Sequence, residues 1–154
     1  QDARGNVLFA HRDDAGALTG FEIKNRGFTR FAPGGTKSAW QSNVDPGDRF
    51  AVVTESAIDA LSYHQLDRER GDRSRYLSTA GSPGRAQLTL LGRVFGHLAV
   101  GVTVVAAVDA DEAGRKLAAR LEDLARAHAH LEFERHEPVG AKDWNELLQR
   151  EASR

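Results

Sequence analysis

Cysteine and methionine are both missing from this sequence. The first absence excludes a disulfide framework and any thiolate-bound zinc, and with them the small secreted scaffolds. The second extends to position 1 and leads us to expect an internal piece of a longer protein. Neither charge sign dominates: 21 Lys and Arg face 22 Asp and Glu, for a net charge of -1. A polycation that coats DNA finds no support there, so any nucleic-acid contact must come from a local patch. No apolar run approaches the ~20 residues that span a bilayer. The first residues carry no basic-then-apolar leader. The expectation is a cytoplasmic protein with no membrane partner.

What remains is an ordinary soluble composition of 154 residues, 40% hydrophobic and 28% charged. A chain of this size can bury a self-sufficient core. Up to Asp48, short apolar runs (Val7 to Ala10, Phe21 to Ile23, Phe28 to Phe31) alternate with turn signals at Asp14-Ala15-Gly16, Arg26-Gly27 and Pro33-Gly34-Gly35. That pattern predicts a small antiparallel β subdomain over residues 1–48. Asp45-Pro46-Gly47-Asp48 marks the boundary to a second unit, residues 49–154.

From Arg49 strands and helices alternate. Phe50 to Thr54 reads as a buried strand, Ser56 to Arg68 as a helix, and Tyr76 to Thr79 as a strand entering Gly81-Ser82-Pro83-Gly84. A helix with Leu88, Leu91, Val94 and Phe95 on one face follows. Val102 to Val108 is apolar and β-branched on both faces, as a central parallel strand must be. The next helix repeats Ala113, Leu117, Leu121, Leu124 and His128 at three- and four-residue steps. Leu131 to Glu134 suits a strand, and Asp143 can cap a short last helix. Such alternation predicts an α/β fold, a mostly parallel sheet covered by helices on both faces.

In sheets of this kind ligands gather beyond the carboxyl ends of the strands. Two of those ends carry acids. Glu55 follows Val52-Val53-Thr54, with Asp59 one helical turn on, and Asp109, Asp111 and Glu112 follow Val104 to Val108. Clustered carboxylates raise one another's pKa or recruit a cation. Oxygen-only ligands favour a hard ion, Mg²⁺ or Mn²⁺, over zinc. Such an ion can bridge phosphate oxygens during an in-line displacement. Each acid also has a plainer reading: Asp111 or Glu112 could simply cap the next helix, and Asp59 alone fits a solvated helix face. Acids at two strand ends, in the order Glu then Asp-x-Asp, favour the metal site. Gly114 would let the backbone turn closely into the helix.

At these residues the sequence resembles the Toprim family. Val52 to Ala60 is similar to the first Toprim motif, a strand ending in glutamate with an aspartate four residues later. Val105 to Gly114 is similar to the Asp-x-Asp motif, including the Ala-Gly of bacterial primases. Toprim domains occur in primases, topoisomerases, nucleases and recombination-mediator proteins. The resemblance implies a Rossmann-like Toprim core with Glu55, Asp109 and Asp111 catalytic. It implies Mg²⁺, or Mn²⁺ in its place, among Glu55, Asp59, Asp109 and Asp111, and no zinc. Lys142-Asp143-Trp144-Asn145-Glu146 is similar to a segment that follows the core in bacterial, phage and plasmid primases. Gly20-Phe21 with Lys37 to Ser42 looks like the subdomain that precedes it. These matches imply nucleotidyl transfer on a single-stranded DNA template from nucleoside triphosphates, with Arg26, Lys37, Lys142 and Asp143 touching nucleic acid or nucleotide. A helicase or relaxase portion would belong to the full-length protein. Ser56 stands where the family usually has glycine, which leaves a positive φ there open. The zinc module that bacterial primases usually add is missing from the chain.

Lys24, Arg26, Arg30 and Lys37 lie between Phe21 and Trp40 with one acid, Glu22. They could track a single strand by phosphate contacts and aromatic stacking, or the aromatics could be the meander's core. Gly81 to Arg85 lacks the Walker signature and reads as a plain turn. His128, His130 and His136 have no Cys partners and read as core or surface residues. Tyr63 and Tyr76 fall in the expected core, which argues against a topoisomerase nucleophile. Two rivals stay open: a Toprim nuclease that hydrolyses phosphodiesters, and a non-catalytic DNA-binding module of a plasmid mobilisation protein.

Overall fold

The computed structural model describes residues 2–154, with Gln1 outside them. Its strands are β1 (Val7–Arg12), β2 (Leu18–Asn25), β3 (Phe28–Phe31), β4 (Ala39–Gln41), β5 (Phe50–Thr54), β6 (Ser74–Ser78), β7 (Thr103–Ala107) and β8 (Glu132–His136). The α-helices are α1 (Ala57–Leu66), α2 (Arg85–Gly96), α3 (Glu112–Arg126) and α4 (Trp144–Ala152). All eight strands share one mixed sheet, in the order β3-β2-β1-β4-β6-β5-β7-β8. The half from β6 to β8 is parallel. The half from β3 to β4 is antiparallel.

The continuous apolar runs explain the parallel half. Alternate residues of a strand serve opposite faces. Val53, Leu77, Val104 and Ala106 pack with Leu91 and Phe95 of α2 and Leu117 and Leu121 of α3. Val52, Tyr76, Val105 and Ala107 pack on the other side with Ala60 and Tyr63 of α1 and Trp144 of α4. Both tyrosines are therefore core residues, as the sequence implies. On α3 the buried stripe is Gly114, Leu117, Ala118, Leu121 and Ala125. Ala113, expected on that stripe, is exposed because Gly114 takes the place against the sheet.

The antiparallel half holds one element that the sequence does not predict. β4 is three residues long, too short to display alternation. It pairs with β1 and, through Trp40 opposite Ser78 and Gln41 opposite Leu77, with β6. Of the aromatics here Phe9 is buried, Phe21, Phe31 and Trp40 are half-buried, and Phe28 and Phe31 line the cleft described below. Phe9 meets Trp40 edge-to-face at 5.5 Å, and Phe31 meets the fully buried His11 at 5.0 Å. Only Phe28, among the seven phenylalanines, is exposed. Burial pushes the His11 pKa down, so its ring is neutral at physiological pH.

The path of the chain places the site. From β5 it moves outward to β6, then crosses back to the other side of β5 to form β7. The reversal lies between β5 and β7, and crevices at such switch points are where open α/β sheets bind ligands. No helix among the described residues is long and apolar enough to cross a membrane.

Candidate active site

Glu55 and Asp109 leave β5 and β7 at that switch point. Each is half-buried, and each presents a buried carboxylate oxygen, Glu55 Oε1 and Asp109 Oδ1, with no hydrogen-bond partner. Burial raises the Asp109 pKa to about 7, helped by Glu55, Asp59, Asp143 and Asp111 nearby. Burial also raises Glu55, with Asp111 and Asp59 adding to it, while the backbone amide of Asp109 pulls the other way. The acids of both strand ends thus feel one another.

Ser56 settles the question raised by the missing glycine. Its backbone is extended, φ -137° and ψ 156°, so no positive φ is needed. It is the N-cap of α1: its Oγ accepts the Asp59 N–H at 3.2 Å and donates to Asp59 Oδ2 at 2.5 Å. A solvated Asp59 is the wrong expectation. The side chain is 7% exposed and its other oxygen accepts the Asn145 N–H at 3.3 Å. The partner comes from α4, far along the chain. Burial raises the Asp59 pKa, and Asp143 adds to this, whereas Ser56, Asn145 and Lys24 oppose it. Ser56→Ala removes the cap and one Asp59 partner, and is expected to cost about 1–2 kcal/mol in thermal or urea denaturation.

Asp111 takes the plainer of its two roles in this conformation. It is exposed, its Oδ1 caps α3 by accepting the Gly114 N–H at 2.7 Å, and it does not line the cleft described below. Gly114 itself is required: a Cβ there would overlap the backbone carbonyl of Asp109. The Lys142–Glu146 segment docks beside this loop. The Ala110 N–H donates to the Lys142 carbonyl at 2.9 Å. Asp143 caps α4 by accepting the Glu146 N–H at 2.7 Å, and its carboxylate lies 3.3 Å from Lys142 Nζ.

Glu55, Asp59, Asp109 and Asp143 form the floor of a cleft of about 1300 Å³ that the β2–β3 hairpin also lines. Arg26, Lys37, Lys142 and Asp143 all line it, together with Glu55, Asp59 and Asp109. Lys37 Nζ donates to the Ala80 carbonyl at 2.6 Å. Ala80 and Gly81 both hold positive φ, 53° and 93°, and the Gly81 N–H donates to the Glu55 carbonyl at 2.7 Å. Of Gly81 to Arg85, expected to be a plain turn, Gly81 lines the cleft, as does Ala80 before it. The sequence offers Lys24 as one of several cations beside Glu22, but not the burial of Glu22 or its pairing with Lys24. Glu22, 2% exposed, lies 2.9 Å from Lys24 Nζ, and both residues line the cleft. Alternation along β2, which puts Gly20, Glu22 and Lys24 on one face, is the signal for that pairing.

A divalent ion suits this floor. Among the described residues no three His, Asp or Glu side chains are posed together as a finished metal cage. Mg²⁺, however, keeps several waters and uses only one or two carboxylates with substrate phosphates. Two unpartnered carboxylate oxygens with raised pKa values meet that need.

A Toprim-like family model matches residues 52–148, from β5 through α4. The chain belongs to the Toprim-like family. Solved structures share its fold. The primase fragment of the bacteriophage T7 primase–helicase protein has a TM-score of 0.63 and 21% identity, and the match covers 95% of this chain and 58% of that one. A bacteriophage T7 lagging-strand DNA polymerase was solved with primase domains of two gp4 subunits bound to an RNA/DNA hybrid and dTTP. A chain of that complex matches with a TM-score of 0.61 and 20% identity, over 94% of this Toprim chain and 71% of that chain. No curated protein sequence matches at a significant level. The structural likeness reaches beyond the family match, since it includes the antiparallel half of the sheet.

Proposed function

We propose that this Toprim chain is the Mg²⁺-dependent nucleotidyl-transfer core of a DNA primase-type enzyme. One observation carries the reading: Glu55 and Asp109, each with a buried, unpartnered carboxylate oxygen at the sheet's switch point, line one cleft together with Lys24, Arg26 and Lys37. Residues 49–154 supply the acids and residues 1–48 the cationic wall. The T7 chains that share the fold are primase fragments by name, and one was solved with an RNA/DNA hybrid and dTTP.

Glu55 and Asp109 would hold the ion, with Asp111 and Asp59 adding negative charge behind them. Bound there, Mg²⁺ (or Mn²⁺) supplies positive charge to triphosphate oxygens during in-line displacement. The Glu55 oxygen not bound to the ion would exchange a proton with the attacking 3′-hydroxyl. Lys24, Arg26 and Lys37 offer ammonium and guanidinium groups to phosphates in the same cleft, and Lys142 with Asp143 borders the nucleotide. The partners would be a single-stranded DNA template and nucleoside triphosphates in the cytoplasm, with a helicase or relaxase portion in the full-length protein.

The test is incubation with single-stranded template, labelled ribo- and deoxyribonucleotides, and Mg²⁺ or Mn²⁺. New oligonucleotides that vanish in Asp109→Ala and Asp111→Ala are the expected result. Template shortening would make the chain a nuclease, and neither product with DNA binding intact would make it a binding module. Synthesis that survives both substitutions would remove the acids from the chemistry.

A further inference from the structure

Glu22 is a buried carboxylate of β2 that lines the same cleft as Glu55, Asp59 and Asp109. Its Oε2 accepts the Ala57 N–H at 3.2 Å and the Ser78 hydroxyl at 3.3 Å. Its Oε1 lies 2.9 Å from Lys24 Nζ. Ala57 opens α1 directly after Glu55 and Ser56, and Ser78 ends β6 beside Thr54 of β5. One side chain of β2 therefore touches β6, α1 and its own strand's lysine. The α1 N-terminus, with its partial positive charge, compensates the carboxylate from one side and Lys24 from the other.

Lys24 is held in turn. Its side chain is 15% exposed, it donates to Thr29 Oγ1 at 3.4 Å, and it lies close enough to Asp59 to oppose that residue's raised pKa. An unrestrained lysine loses about 2 kcal/mol of rotamer entropy when a ligand fixes it, a cost that pre-organisation removes in advance.

We propose that Glu22 is a positioning residue: it acts through Lys24, fixing that ammonium over the acidic floor as a ready-made contact for the phosphate of an incoming nucleoside triphosphate. The inference rests on the nucleotidyl-transfer reading above, and it adds a residue outside the family motifs. Glu22 touches no substrate. It sets where the cation stands, relative to Glu55, through the shared α1 terminus.

The test is a double-mutant cycle of Glu22→Gln and Lys24→Ala in the full chain. Incorporation kinetics are read together with equilibrium binding of a fluorescent nucleoside triphosphate, so that turnover is not the only signal. Glutamine keeps an oxygen for Ala57 and Ser78 and gives up only the charge. Each single variant is expected to raise KM and the nucleotide Kd about tenfold with a smaller change in kcat. The double variant is expected to be no worse than either, because both remove one contact. Should Glu22→Gln fail to fold, Glu22→Asp makes the same comparison, since it keeps the charge near α1 but withdraws it from Lys24. Additive losses in the double variant overturn the inference. So does a fall in kcat and melting temperature with KM unchanged, which would mark a structural role. A wild-type chain that neither binds nor incorporates nucleotide overturns the nucleotidyl-transfer reading itself, whereas an active wild type unaffected by Glu22→Gln overturns this inference alone.

Discussion

Asp109→Asn is expected to lower nucleotide incorporation on the order of 10²–10³-fold while making the metal-free chain more stable above pH 7. The two effects share one cause. Asp109 sits at a strand end where burial and four neighbouring acids penalise its charge, so its pKa rises from 3.8 to about 7. Between those values the folded chain holds a proton that the unfolded chain has released. Stability therefore falls as pH climbs through that window, and levels off above it. Asparagine has no proton to lose and escapes the penalty. Melting curves in EDTA should coincide near pH 4 and part steadily up to about pH 7. At pH 8 the gap should reach about 1–3 kcal/mol, since partial solvent contact reduces what so large a rise would cost in a dry interior. Curves that stay parallel across this range would mean that Asp109 carries no such strain. In the wild type, Mg²⁺ relieves the same penalty, so metal affinity should rise with pH over that window.

Gly114→Ala tests the other support of the same carboxylate. In an exposed helix the change would add stability, because alanine is the better helix former by about 1 kcal/mol. Here the new Cβ meets the backbone N, C and O of Asp109, which cannot swing aside as a flexible side chain could. The turn between β7 and α3 must open instead. We expect a net loss of about 1–3 kcal/mol. Incorporation should fall on the order of 10²-fold, since a displacement near 1 Å is enough to spoil in-line geometry. Urea denaturation and the incorporation assay check the two halves separately. A more stable Gly114→Ala chain would contradict the close approach.

The parallel half of the fold is legible in the sequence because burial on both faces leaves an uninterrupted apolar signature. Phe50 to Thr54 coincides with β5, and the acids that follow each central strand are visible as soon as the strand ends are. The antiparallel half is legible only in part. Three residues of β4 cannot show a period, and its pairing with β6 is fixed by Trp40 and Ser78, residues far apart in sequence. Asp59 illustrates a second limit. An acid one turn into a helix looks solvated until α4 returns, more than eighty residues later, to place the Asn145 amide against it. Asp111 illustrates a third. A helix cap and a metal ligand demand the same residue at the same place, so position alone does not separate them. Glu22 and Lys24 illustrate the opposite case: both are visible in the basic stretch, but only their shared face and long-range contacts pair them.

β4 has a mechanical consequence. The hairpin and the strand ends that line the cleft with it are stitched into a single hydrogen-bonded sheet through Trp40 and Ser78. Two jaws hinged on a linker can swing apart, but two regions of one sheet can only flex together. Widening the mouth would mean unzipping β4 or wringing the sheet's twist.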